Sequence, residues 1–137
     1  MAKTYQTQRS PSSKLMGSHF VSFDAEAGEI TMHYTPPAEF ASPRGAVQGG
    51  LIAGFLDEVM GSALLAVTDD AYLPLNLDMK LTFLRMVPLE TITAKGRVVK
   101  HGRRVAFLEG ELYDQAGNQL ARATSTALPT PMPGANA

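Results

Sequence analysis

Between Leu51 and Val67 the apolar residues Leu51, Phe55, Leu56, Val59, Met60, Ala63, Leu64 and Val67 recur at spacings of three and four. That period marks one broad apolar face and predicts a long α-helix, roughly 30 Å for about twenty residues. On either side the pattern changes to β-prone runs. Ser18–Phe23 and Glu29–Thr35 precede the helix, joined by the turn residues Ala25-Glu26-Ala27-Gly28. Pro36-Pro37 ends the second run, and Pro43 and Gly45 keep 38–45 to a turn or short helical piece and a loop. Four further runs follow: Tyr72–Met86, Thr91–Lys100, Arg104–Tyr113 and Gln119–Leu128. Val87-Pro88, His101-Gly102 and Ala116-Gly117-Asn118 are expected as short links, which join antiparallel neighbours. The predicted order is β-β-α-β-β-β-β, an α+β fold with one principal helix on an antiparallel sheet.

The pattern also predicts the domain limits. Residues 1–17 and 129–137 lack apolar periodicity and are expected as mostly flexible tails around a single domain, 18–128. One helix cannot cover every edge of six strands. The run Asn76–Leu84 is long and partly apolar, a sticky template if left at an edge, so a homodimer that continues the sheet across a two-fold axis is expected, or a homotetramer built on it.

Composition narrows the chemistry. With 137 residues the chain is long enough to bury its own core. A formal charge of -1 gives no global field to attract nucleic acid or an anionic membrane. The absence of cysteine removes disulfides, thiolate metal sites and a cysteine nucleophile. Val47–Val67 is the most apolar stretch, but Gln48, Asp57 and Glu58 interrupt it, so a core helix is expected rather than a membrane span. Met1–Lys14 is polar, with Lys3, Arg9 and Lys14 and no apolar run of a secretory signal, and a cytoplasmic location is expected. His19, His33 and His101 are isolated from metal-ligand partners; neither a metal nor a cofactor is expected.

Candidate chemistry gathers where the loop becomes the long helix. Gly49 and Gly50 leave unpaired backbone N–H groups and the positive end of the helix dipole open to approach, a place for a developing oxyanion. About two turns later Asp57 borders the apolar face, where a partly desolvated carboxylate can serve as base or nucleophile. Here the chain resembles the hotdog-fold thioesterases, in particular the branch related to phenylacetate-pathway and 4-hydroxybenzoyl-CoA thioesterases. The likeness spans nearly all of residues 18–128. Gln48-Gly49-Gly50 fills the family's His-Gly-Gly-type triplet, and Asp57 stands nine positions after its first residue, as the family's catalytic acid does. Leu77–Leu84, Gly102-Arg103-Arg104 and Asp114-Gln115-Ala116-Gly117 look like the family's third strand and later hairpins.

The resemblance implies a hotdog fold, an antiparallel sheet wrapped around one long central helix, and hydrolysis of an acyl-CoA or related acyl thioester. Asp57 would attack the carbonyl carbon or activate water, and the Gly49 N–H would polarise the carbonyl oxygen. A thiol of pKa about 8.5 leaves with little help from an acid, so one carboxylate and one preorganised donor can suffice. Two positions depart from the family pattern. Gln48 replaces the frequent His and can position but not exchange a proton at neutral pH, and Ser42 stands where many relatives have Asn or Gln. Asn76 matches a downstream small polar position and could orient water. Gly50 and Phe40 are expected at the substrate, and Lys100, Arg103 and Arg104 near the coenzyme A phosphates.

Plain structural roles compete with each reading. Asp57 could be a solvated or capping carboxylate, a role for which Glu58 is the more natural candidate; the glycines could serve packing; the hairpin cations could simply be solvated. Two other functions stay open. One is a noncatalytic acyl-thioester binding or regulatory domain, and the other a dehydratase or hydratase, which would need a histidine that the helix segment lacks.

Overall fold

Nineteen residues, Gly49–Val67, form the long helix, and it is buried along the face that carries Ile52, Phe55, Leu56, Val59, Met60, Ala63 and Leu64. The computed structural model describes residues 2–8 and 10–133. A short helix, α1 (Pro11–Leu15), and two strands, β1 (His19–Asp24) and β2 (Glu29–Tyr34), come before the long helix, which is α2. After it follow β3 (Tyr72–Phe83), β4 (Ile92–His101), β5 (Ala106–Tyr113) and β6 (Gln119–Pro131). All pairings are antiparallel, in the order β1-β2-β4-β5-β6-β3. The strand and helix order is the one expected from the periodicities.

Alternation decides which way each strand faces. Ile30, Met32 and Tyr34 of β2 and Ala106, Leu108, Gly110 and Leu112 of β5 lie on the inward face and are buried, while the residues between them are more exposed. Large side chains at the periphery and small ones at the centre let α2 sit close to the sheet. A Cβ at Gly96 would overlap the Val59 carbonyl of α2, and one at Gly110 would lie 3.1 Å from Met60 Cγ. By length and composition alone α2 could cross a membrane, yet 67% of its most apolar window is buried within the protein, as a core helix requires.

One connection and both ends of the domain differ from the expected ones. The β3–β4 link is not a tight turn at Val87-Pro88 but the whole of 84–91. Its reason is burial: Val87 is fully enclosed, and its carbonyl accepts the Val47 N–H at 2.9 Å, which ties the link to the loop that leads into α2. At the other end of the sheet, β6 continues through Pro131, so 129–131 pair with β3 rather than forming a tail, and residues 134–137 lie outside the described residues. The expected N-terminal tail contains α1 and a 3-10 turn, Thr4–Gln6. The turn is held by Asp70, whose carboxylate accepts the N–H groups of Thr4 (2.6 Å) and Tyr5 (3.3 Å). Asp69 and Asp70 both adopt left-handed backbone, φ 53° and 68°, a conformation that aspartate tolerates better than most residues.

β3 pairs with β6 on one side, and its other edge is unpaired among the described residues. Leu75, Leu77 and Phe83 stand exposed along it, followed by Leu84 and Met86.

Replacing Gly96 by alanine is expected to cost about 2–3 kcal/mol, since the added methyl meets helix backbone rather than a side chain that can rotate away. Urea unfolding checks this; a loss under about 0.5 kcal/mol would mean that helix and sheet are not seated so closely.

Candidate active site

The site begins with the way α2 is capped. Gln48 has extended backbone (φ -64°, ψ 139°), and its Oε1 accepts the Leu51 N–H at 3.1 Å, which makes it the N-cap. A Cβ on Gly50 would crowd that oxygen at 3.0 Å, so the glycine makes room for the cap. Gln48 is therefore occupied in shaping the helix start. Its own N–H donates to the Phe40 carbonyl at 2.9 Å, which anchors the preceding loop.

Gly49, the first helical residue, has no hydrogen-bond acceptor for its N–H among the described residues, the usual condition at a helix start. The Phe83 ring lies beside it, 3.7 Å from where a Cβ would be. Ser42 shares this region, and a cavity of about 350 Å3 includes both Ser42 and Gly49. The Ser42 hydroxyl accepts the Arg44 N–H at 3.3 Å, stabilising its own turn.

Two turns further on, the two acidic neighbours separate. Asp57 is exposed and Glu58 is buried, the reverse of the solvated role that Glu58 is expected to fill. Adjacent helical residues differ by about 100° in direction. Asp57 points to the open side, whereas Glu58 turns inward and is satisfied by two hydroxyls: Tyr34 Oη donates to its Oε1 at 3.0 Å and Ser13 Oγ to its Oε2.

Asn76 meets Asp57 from β3. Its Nδ2 donates to Asp57 Oδ1 at 2.5 Å, and a bulge between Asn76 and Asp78 interrupts the β3–β6 register at this point. Bulges re-aim side chains beside functional sites. Among the described residues the Asn76 Oδ1 atom is buried without a hydrogen-bond partner.

Asp57 stands where two cavities meet. One, about 420 Å3, is bordered by Phe40, Leu51, Leu73 and Pro74 and by α1; the other, about 360 Å3, opens toward Asn76 and the β3 edge. Gly50 and Gly54 keep part of the α2 side of the first cavity clear of side chains between Leu51 and Asp57. Phe40 is buried against Phe55, ring centroids 6.1 Å apart, and forms part of its wall. The structure thus brings Asp57, Asn76, Gly50 and Phe40 together. It does not bring Gly49 and Ser42 to them: they line a separate cavity, and eight residues of helix put Gly49 about 12 Å from Asp57 along the axis.

Lys100, Arg103 and Arg104 are exposed at the β4–β5 hairpin, and none forms an ion pair among the described residues. Arg103 lines a cavity of about 370 Å3 with Tyr72 and His101; Lys100 and Arg104 do not. A larger groove, about 450 Å3, crosses the outer sheet face between Lys80, Glu109, Glu111 and Arg122 and includes none of the candidate residues. Among the described residues no group of three or more His, Asp or Glu is placed to hold a metal ion. Sequence reasoning missed Ser13, Tyr34, Leu73 and Pro74, since only the folded chain shows which residues approach α2 from afar.

Comparison with known proteins agrees with this architecture. The model of the thioesterase superfamily matches residues 44–121, from the loop before α2 into β6. The crystal structure of a phenylacetic acid degradation-related protein of Ralstonia eutropha JMP134 is 30% identical with a TM-score of 0.79, covering 88% of this chain and 92% of that one. A Streptococcus mutans protein solved bound to acetyl-CoA shares the fold at 22% identity and a TM-score of 0.73, over 82% of this chain and 88% of that one. A protein of Saccharolobus solfataricus that carries an esterase designation is 30% identical over 98 residues, 72% of this chain and 69% of its own length. With the family match spanning more than half of its length, the chain belongs to the thioesterase superfamily and has the hotdog fold.

Proposed function

We propose that the protein hydrolyses an acyl-CoA or a related acyl thioester to a free acid and a thiol, with Asp57 as the reacting carboxylate. The observation that carries this reading is Asp57 itself, on the uncovered side of the central helix at the mouth of an apolar cavity and oriented by Asn76. The acyl group occupies that cavity, which puts the thioester carbonyl beside the carboxylate. Asp57 then either attacks the carbonyl carbon, so that the C–S bond breaks, the thiolate departs and water cleaves the resulting mixed anhydride to the free acid and the restored carboxylate, or takes a proton from a water that attacks the carbonyl and expels the thiolate directly. No histidine lines either cavity at Asp57, which speaks against a dehydratase or hydratase.

An oxyanion donor completes the site, and helix geometry sets where it comes from. A carbonyl in contact with Asp57 cannot also reach the Gly49 N–H of the same helix about 12 Å away. β3 lies along this helix with Asn76 next to Asp57 and Phe83 next to Gly49. Pairing the free β3 edge with a second copy, about a two-fold axis near the middle of the strand, would carry the Asn76 end of one protomer to the Phe83 end of the other. Each active site of this homodimer then combines Asp57 of one protomer with Gly49 of the partner subunit. The same pairing covers Leu75 and Leu77, which solvent otherwise meets. The exposed Lys100, Arg103 and Arg104 supply charge for the coenzyme A phosphates.

Asp57→Asn keeps the size and the hydrogen bond from Asn76, so it is expected to remain folded while lowering kcat for thiol release from acyl-CoA by about 100-fold or more. Near-normal turnover in the folded variant would remove Asp57 from the reaction.

Complementation tests the shared site. Gly49→Pro deletes the proposed donor at a position where proline fits a helix, and the extended Gln48 backbone accepts a following proline. Gly49→Pro and Asp57→Ala are each expected to be nearly inactive alone. Mixed and allowed to exchange, they should recover about a quarter of wild-type turnover, because half of the dimers are mixed and each mixed dimer holds one intact site. A mixture as inactive as its components would overturn the two-protomer site.

A further inference from the structure

The buried carboxylate of Glu58 is not used by the proposed reaction, yet it adjoins Asp57 on α2 and borders the same 420 Å3 cavity. Its two partners come from different parts of the chain: Tyr34 from β2, fully buried, and Ser13 from α1, also fully buried. α1 in turn is a well-formed turn of helix, with Pro11 at its start and the Ser10 hydroxyl accepting the Ser13 N–H at 3.2 Å. Beyond it, Ser18 N–H returns to the Ser13 carbonyl at 3.1 Å and Thr35 N–H to the Gly17 carbonyl at 3.1 Å, which locks the exit of α1 to the end of β2. Residues 10–16 are therefore tied to α2 through the Ser13 hydroxyl and, just past their end, to the residue after β2 through the Gly17 carbonyl. What they present to the cavity is Ser10, Ser12, Leu15 and Met16, with the Met16 sulfur 3.5 Å from where a Cβ on Gly54 would stand.

We propose that Ser10–Met16 is a wall of the acyl pocket that sets the size of the acyl group accepted, and that Glu58, through Ser13, is the positioning residue that holds this wall in place. The inference rests on the thioesterase reading of the site and extends it to substrate class. The cleft is about 420 Å3 and open to solvent on one side, and its lining, bounded by Ser10–Met16, suits an acyl group of medium length. Leu15, Met16, Phe40, Leu51, Leu73 and Pro74 supply the apolar surface for such a chain. A longer chain that runs against this wall displaces α1 only by breaking the Ser13–Glu58 hydrogen bond and exposing a buried carboxylate. Acyl size is thereby coupled to a polar latch rather than to packing alone.

The test uses the full chain with acetyl-, hexanoyl-, decanoyl- and palmitoyl-CoA. The wild type is expected to favour hexanoyl- and decanoyl-CoA. Ser13→Ala releases the latch and Met16→Ala thins the wall, and each should raise the kcat/KM ratio of palmitoyl- to hexanoyl-CoA by about tenfold, the discrimination an apolar pocket can lose with one or two carbons of wall. A ratio within twofold of wild type in both variants, or an equal fall across all four substrates, would overturn the proposal, because a merely structural role lowers every substrate alike. Hydrogen exchange gives a readout that needs no turnover: decanoyl-CoA should slow exchange at residues 11–16 more than coenzyme A alone does. If the wild type turns over none of the four substrates but decanoyl-CoA protects this segment, the hydrolase reading fails and the wall stands as part of an acyl-binding site. If hydrolysis is normal while protection is absent and the ratio does not move, the wall fails and the hydrolase reading stands.

Discussion

Close seating of α2 on the sheet is the constraint on which the rest of the molecule depends. At Gly96 the sheet touches helix backbone, and at Gly110 it touches Met60 and Leu56. These contacts require small residues at the centre of β4 and β5 and large ones around them; the first half of the helix, around Gly50 and Asp57, keeps an open side, whereas Glu58–Ala66 is buried all round. Burial of each large apolar side chain contributes about 1.5–3 kcal/mol, so Phe55, Leu56, Met60 and Leu64 alone hold the helix firmly. A rigid helix is then available as the platform for chemistry on its other side.

The uncovered side is where the polar groups are sorted. Asp57 and Glu58 are neighbours in sequence and identical in their type of charge, yet one faces the cleft and the other enters a buried set of hydroxyls. The first is accessible to a substrate and oriented from one side by Asn76; the second is enclosed and fully engaged. Rotation of about 100° per residue is enough to assign them such different environments.

The edge of the sheet carries the second consequence. β3 supplies Asn76 through a bulge, lays Phe83 beside Gly49, and still presents an unpaired row of backbone groups. One strand thus takes part in both halves of the proposed site and in the proposed means of bringing two copies of those halves together. In the proposed dimer a donor and an acid separated by two helical turns would belong to one reaction centre without either moving.

By itself the sequence determined the order of elements and the central helix, because period is a local property that a chain carries before it folds. It also carried the turn at Asp114, whose carboxylate accepts the Ala116 and Asn118 N–H groups as its side-chain type predicts. Only the tertiary structure decided that Val87 is core and its loop long, that residues 10–16 border the cavity, and that Glu58 rather than Asp57 is buried. In each case the outcome rests on a partner distant in sequence: Val47 for Val87, Ser13 and Tyr34 for Glu58, Asn76 for Asp57. Polar residues without periodicity, such as those of α1, read locally as tail, since the contacts that order them are formed with a surface that exists only after the helix and sheet have packed.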